Sequence, residues 1–284
     1  MTSSTQPSHE ALELFRETAD PARYVPREAT EQALGALEAW RREEGVGSTV
    51  VALVAAPGLG KTLLLRLFEE RLRRDGAASE AGDVLYLPYA GLELPDLCAW
   101  CYGLLGRGPA PAESRDHPLA ALTGLVALAG GPDRPLFLLV DDADSMPLQT
   151  ARVLAQGLAR ERSGLRLVLA LGDDARSSRL LATLDLLHPR TVALRSAMSL
   201  EETRAFLAAR LRHPRAASGD EAAEGPEPSP ERVERLHRLS GGVPRRVQAL
   251  AAELLERPNE AIAADLERKR RRDAWLGSPI DDDL

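Results

Sequence analysis

The chain is 284 residues long, 44% hydrophobic and 28% charged, with 43 acidic against 36 basic side chains and a formal net charge of -7. That length suits one full domain with a small companion, and the acidic balance argues against a uniformly basic nucleic-acid coat while leaving room for a local basic patch. No apolar run approaches the ~18 residues of a membrane span, and the opening MTSSTQPSHEALELF has neither the positive nor the apolar region of a secretory leader, so the expectation is a cytoplasmic protein with no membrane partner.

Residues 1–27 are polar and interrupted by Pro7, Pro21 and Pro26, which marks them as an N-terminal arm. Ala33, Leu34, Leu37 and Trp40 then recur at helical spacing over 28–43, and Gly45 stops the run. The β-branched stretch STVVALV, 48–54, reads as a strand, and KTLLLRLFEERLRR opens a helix soon after it. Strand candidates follow at 83–87, 136–140, 166–171 and 191–195, separated by helical stretches near 95–105, 117–129, 148–162 and 175–187. Short strands with no polar face, alternating with helices, form a parallel sheet covered on both sides. The fold class expected over 28–198 is therefore α/β.

From Ser199 the strands stop. Ser199 and Glu202 stand in capping-box spacing at the head of SLEETRAFLAARL, so a small all-helical module is expected over 199–257. The stretch 213–230 interrupts it, with too much proline, glycine and acid to bury a core, and reads as a flexible loop. Helices resume at about 230–239, 244–256 and 258–275, the last belonging to a charged C-terminal helix and tail over 258–284.

Two motifs carry chemistry. Between the first strand and its helix lies AAPGLGKT, Ala55 to Thr62, the context that a phosphate-binding loop requires. Ala56, Pro57, Gly58, Leu59 and Gly60 form the expected phosphate cradle, in which Gly58 and Gly60 supply the freedom for backbone N–H groups to turn onto phosphate oxygens at a helix N-terminus. Lys61 would reach the β and γ phosphates of ATP, and the Thr62 hydroxyl would ligate Mg2+. Ala55 stands where the strict pattern has its first glycine. The second motif is LFLLVDDAD, Leu136 to Asp144. Asp141 ends an apolar strand and is placed to hold Mg2+, and Asp142 follows where many such ATPases use a glutamate as general base. Its shorter side chain makes slow hydrolysis the expectation.

Cys98 and Cys101 form CAWC inside an apolar stretch. A zinc site needs two more ligands, which none of the five histidines is spaced to give, and a redox pair needs its own βαβ setting. Two reduced cysteines packed in a helix are expected.

With both motifs placed, the chain resembles the AAA+ P-loop ATPases, and within them the ExeA/GspA-type module related to the TniB and TnsC transposition ATPases. The resemblance runs from about Arg23 to Glu256 and includes YLPYAGLELPDLCAWCYGLLG, LRLVLALGDDARSSRLLATLDLLHPR, MSLEETRAFLAARL and HRLSGGVPRRVQAL. It implies that the helical module is a lid, and that Arg245, with Arg246 beside it, meets the γ-phosphate as the second sensor. It also implies a catalytic arginine finger offered to an adjacent subunit's nucleotide, by Arg190 or by Arg176 or Arg179 on the same edge. Asp173 falls near the first-sensor position, where an uncharged polar residue is usual and a carboxylate repels phosphate unless protonated or metal-paired. Tyr24 and Pro26 lie in the region that packs on adenine in this family.

The function implied is an ATPase that binds Mg-ATP and couples its binding and hydrolysis to oligomer assembly and to a switch in contacts with an unidentified protein partner. One rival is an ATP-dependent regulator of the TniB/TnsC kind bound to duplex DNA. Another is a non-hydrolysing adaptor, favoured by Asp142 and Asp173. The five cations Arg268 to Arg272 suit a phosphate-gripping or docking strip, and equally a solvated helix end complementing the dipole.

Overall fold

Runs such as VVALV and LFLLV have no polar face to turn toward water, so a stable fold must cover them on both sides. The computed structural model, which describes residues 19–43, 48–76, 83–115, 117–129, 131, 134–159, 164–216 and 229–256, does this with a five-stranded parallel sheet. In chain order the elements of the first unit are α1 (Glu28–Arg42), β1 (Val50–Val54), α2 (Lys61–Gly76), β2 (Val84–Leu87), α3 (Leu94–Leu104), α4 (Pro118–Leu128), β3 (Leu136–Val140), α5 (Leu148–Leu158), β4 (Leu165–Leu171), α6 (Ala175–Thr183) and β5 (Arg190–Ala193). The arm over 1–18, residues 217–228 of the interrupting loop and the tail over 258–284 lie outside the described residues.

Strand order is β2-β3-β4-β1-β5. Side chains alternate between the two faces as the two-residue period of a strand demands. Val50 and Ala52, Leu136, Leu138 and Val140, and Leu167 and Leu169 join a core shared with α3 to α6. Val51 and Leu53, Phe137 and Leu139, and Val168 and Ala170 join the opposite core with α1 and α2. There Trp40 meets Phe137 edge to face at 6.0 Å and donates its indole N–H to the Ser48 carbonyl at 2.7 Å. The doubly covered sheet is the α/β architecture read from the sequence.

Two boundaries differ from the sequence reading for local reasons. Ser48 stays outside β1 because its hydroxyl lies within donating reach of the Val50 and Leu187 carbonyls, at 2.8 and 3.1 Å. The helix expected over 175–187 ends at Thr183 and gives way to a 3-10 turn over Asp185–Leu187. His188 then adopts φ 47°, and Pro189, which cannot continue a helix, leads into β5.

Contacts divide the described residues into two compact units between Ser196 and Ala197. The second contains α7 (Leu200–Ala216), α8 (Pro230–Ser240) and α9 (Pro244–Glu256). Ser199 and Glu202 close a reciprocal cap: the Ser199 N–H donates to Glu202 Oε2 at 2.8 Å and the Glu202 N–H to Ser199 Oγ at 3.0 Å. The turn before α9 needs glycine. Gly242 has φ 67°, accepts from the Met198 N–H at 2.8 Å, and leaves no room for a Cβ, which would stand 2.3 Å from the Met198 carbonyl oxygen. Among the described residues, no helix is long and apolar enough to cross a membrane.

Candidate nucleotide-binding site

The phosphate-binding motif is built by the end of β1 and the start of α2. Ala55 continues the parallel ladder, its N–H donating to Leu171 at 3.1 Å, and its backbone stays out of the left-handed region, so a methyl group is tolerated where the strict pattern has glycine. Gly58 (φ 83°) and Gly60 (φ 105°) supply the turn that other residues resist. A Cβ placed on Gly60 would meet nothing within 4 Å, so the loop faces open space. Lys61 is the first residue of α2, and its Nζ donates to the Ala55 carbonyl at 2.8 Å, folding the side chain back over its own loop. Thr62 follows it, half-buried.

The strand order brings a second group to this edge. β1 and β3 flank β4, so they run about 10 Å apart at the usual strand spacing, room for a phosphate and a hydrated cation between loop and carboxylate. Asp141 follows β3 and is 5% exposed. Its N–H donates to the Leu87 carbonyl at 2.8 Å, and its Oδ1 accepts from the Asp142 N–H at 3.1 Å. Asp142 is exposed and left-handed, with φ 43° and ψ 42°, and its carbonyl accepts from the Ser145 N–H at 3.0 Å and the Ser145 hydroxyl at 2.7 Å. Burial pulls the Lys61 ammonium below the ordinary lysine range, while Asp141, Asp142, Asp144 and Asp173, in that order, pull it back up.

The four carboxylates that act on this ammonium outnumber it, a balance that disfavours a bare polyphosphate and suits one carrying a divalent cation. Among the described residues, no group of three or more acidic, histidine or cysteine side chains forms a metal cage. Mg2+ typically arrives with phosphates and takes only one or two protein oxygens, so the donor set of Thr62 and Asp141 fits it.

Sequence reasoning missed three residues here. Tyr86, on β2, donates its hydroxyl to Asp141 Oδ2 at 2.9 Å, and burial followed by the Asp141 charge pushes its phenol well above the usual range. The Arg66 guanidinium of α2 stacks over that ring, 3.3 Å from its centroid. A tyrosine within the apolar run DVLYL was the available signal, since a buried phenol hydroxyl requires a partner. Arg27, 8% exposed at the head of α1, donates to the Leu59 carbonyl of the loop at 3.1 Å and to the Ser196 carbonyl at 2.8 Å. Nothing in its sequence neighbourhood separates it from an ordinary solvated arginine.

The remaining residues singled out by sequence are more scattered. Tyr24 donates to Glu31 Oε1 at 2.9 Å and accepts from the Arg27 N–H at 3.2 Å. Asp173 is exposed after β4, while Asp174 beside it caps α6, accepting from the Ser177 N–H at 2.9 Å, a bond that holds its carboxyl below the usual range. Arg176 and Arg179 are exposed on α6. Arg190 opens β5 level with Val51, at the far end of the sheet from its own loop, and pairs with Glu43. Arg245 and Arg246 are exposed in the first turn of α9, in the second unit. Cys98 and Cys101 are reduced and buried in α3, and burial pushes the Cys101 thiol up to about 12. Arg268 to Arg272 lie outside the described residues.

With this geometry established, comparison with known proteins shows what the chain is similar to. The family model of an AAA domain matches residues 44–178, from the end of α1 into α6. Similar solved structures include the ORC2 protein of Aeropyrum pernix in ADPNP–ADP complexes, at 17% identity and TM-score 0.55, covering 94% of this chain and 72% of that one. They also include CDC6P of Pyrobaculum aerophilum, at 19% identity and TM-score 0.58, covering 89% and 66%. The Aeropyrum pernix ORC1 protein in complex with DNA gives 15% identity and TM-score 0.58, covering 95% and 72%. At these identities the likeness is one of fold: the chain has the α/β P-loop NTPase fold of the AAA+ structures. No curated protein matches its sequence.

Proposed function

We propose that this chain is a Mg-ATP-dependent ATPase whose nucleotide state controls self-association and contacts with a protein partner. The observation that carries the reading is the meeting of two motifs at one sheet edge: Lys61 heads α2 behind the open turn at Gly60, and Asp141 and Asp142 leave β3 in its electrostatic reach. Loop amides around Gly58 and Gly60, with the α2 N-terminus, bind phosphate oxygens, and Lys61 leaves the Ala55 carbonyl to neutralise them. Thr62 and Asp141 hold the cation. Bound Mg2+ supplies charge neutralisation and polarises the phosphoryl group. Asp142 orients water and accepts its proton. Arg190, far from its own loop, acts only on the nucleotide of another copy, and Arg245 in the helical lid senses the γ-phosphate.

Size-exclusion chromatography with light scattering tests this, using ADP, ATP and a slowly hydrolysed analogue, each with and without duplex DNA. An oligomer that needs ATP alone is the expected outcome. Assembly that needs DNA as well supports the regulator of the TniB/TnsC kind, a reading favoured by the ORC1 protein of the same fold having been solved in complex with DNA. A monomer in every condition overturns the assembly reading and leaves a nucleotide-dependent adaptor.

A further inference from the structure

The geometry points to Tyr86 as a positioning residue that aims the Asp141 carboxylate at the cation, with Arg66 as the brace that holds the tyrosine. This rests on the Mg-ATP reading above. Neighbouring residues of β2 grip Asp141 twice: the Leu87 carbonyl accepts its N–H at 2.8 Å, and the Tyr86 hydroxyl donates to its Oδ2 at 2.9 Å. The Asp142 N–H occupies Oδ1 at 3.1 Å. With a donor on each oxygen, the plane of the carboxylate is fixed and lone pairs remain for a cation or its water.

Tyr86 is itself held. The Arg66 guanidinium lies 3.3 Å above its ring and is tied to Glu69 at 2.9 Å, which Arg73 also grips at 2.8 Å. All three belong to α2, the helix that begins with Lys61 and Thr62. One helix therefore carries the phosphate lysine, the metal threonine and, through Tyr86, the orientation of the metal carboxylate from two strands away. Such coupling matters for Mg2+ because this ion demands near-ideal octahedral geometry, so a carboxylate free to swing binds it less well.

The experiment measures a fluorescent ATP analogue bound to the full chain, first in EDTA and then across a Mg2+ titration. Tyr86→Phe keeps the ring and the Arg66 stack and removes only the hydroxyl. Its affinity in EDTA should equal that of the parent, while the Mg2+ concentration for half-maximal strengthening should rise by roughly tenfold, the worth of one charge-assisted hydrogen bond. Arg66→Met, which keeps the apolar stem, should shift it less in the same direction. In an Asp141→Asn background, Tyr86→Phe should add nothing, because its effect passes through the carboxylate. An unchanged Mg2+ requirement in Tyr86→Phe, or an equal shift with and without Asp141, overturns the assignment. If Tyr86→Phe fails to fold, Arg66→Met and its cycle with Asp141→Asn decide it on the same terms. A parent that binds the analogue in EDTA and gains nothing from Mg2+ overturns the positioning role and the magnesium donor set, while nucleotide binding stands. One that binds no nucleotide in any condition overturns the Mg-ATP reading, and this role with it.

Discussion

The two ends of one sheet are built to opposite specifications. At the amino ends of the strands, where helix C-termini gather, cations meet carbonyls and carboxylates at close range. Arg166 donates to the carbonyls of Trp40, Arg41 and Glu43 at the end of α1, at 3.3, 3.4 and 3.2 Å. Arg190 pairs with Glu43, and Arg41 pairs with Asp75 in the last turn of α2 at 2.6 Å. These are the partners that orphan carbonyls and the negative end of a helix dipole call for. At the carboxyl ends, Gly58, Gly60 and Asp142 have positive φ, four carboxylates act electrostatically on a half-buried lysine, and a Cβ on Gly60 would meet nothing within 4 Å. One end consolidates the fold, and the other combines positive-φ backbone with closely gathered charge, the features that the proposed nucleotide site draws on.

The sharpest way to break that contrast is Lys61→Ala. If the open end is functional, ATP binding and turnover should fall to background, since even one transition-state donor is worth ~10²–10³ in rate. The melting midpoint should not fall, because among the described residues the one hydrogen bond of the lysine side chain is to the Ala55 carbonyl, and the cost of burying the ammonium offsets its attraction to the nearby carboxylates. Calorimetric ATP titration and a thermal melt check both halves. A variant with parental affinity removes the functional reading of that end.

Arg190→Ala probes whether the closed end also serves a neighbour. Its pair with Glu43 is exposed, so losing it should cost less than about 1 kcal/mol of stability. Where fingers act in trans they contribute ~10³–10⁵ in rate. Parental specific activity should therefore rise with protein concentration across the assembly range, and the variant's should stay flat. Parental activity independent of concentration removes the shared-site role.

Asp142 separates the strain of the open end from its chemistry. Asp142→Asn should keep Mg-ATP binding and lose about 10² or more in turnover, because an amide cannot take the proton. Asp142→Gly should lose turnover as well, yet gain roughly 1 kcal/mol of stability as glycine adopts φ 43° without penalty. Steady-state hydrolysis beside chemical denaturation checks the pair. Full turnover in Asp142→Asn would shift the base to the half-buried Asp144, and a parent with no turnover above background would favour the non-hydrolysing adaptor.

What was legible in the sequence follows the range of the interactions. β3 appears at Leu136–Val140 as read, because an unbroken apolar run bounded by polar residues has few alternatives. The Ala55–Thr62 loop is likewise local, its glycines and lysine consecutive in the chain. The partners of Arg27, Tyr86 and Arg166 could not be read for the opposite reason. Arg27 lies 32 residues from Leu59 and 169 from Ser196, Tyr86 lies 55 from Asp141, and Arg166 lies 126 from Trp40. Only the strand order β2-β3-β4-β1-β5 and the crossing of α1 and α2 over one face decide those meetings. Ser48 and the turn after Thr183 fall between, set by a hydroxyl and a proline whose partners are partly local.

Arg166→Ala sharpens the comparison from the closed end, with the smallest effect and the cleanest separation. The guanidinium of this half-buried residue adds donors at the α1 C-terminus, where the Trp40 carbonyl also accepts from the Glu43 N–H at 3.2 Å, and it lies 5.5 Å from the Trp40 ring centroid. Its loss leaves partly buried carbonyls without that donor, a cost of about 2 kcal/mol. In a unit of this size that lowers the melting midpoint by about 5 °C. Arg166→Lys should recover little, because a point-like ammonium cannot reach three carbonyls as a planar fork does. Nucleotide affinity and its Mg2+ dependence should match the parent in both variants, since the defect lies at the opposite end of β4 from the phosphate loop. A thermal melt read beside ATP titration decides it. If Arg166→Ala keeps its midpoint and loses ATP affinity, the two ends are one cooperative site, and the division between stability and function drawn above is wrong.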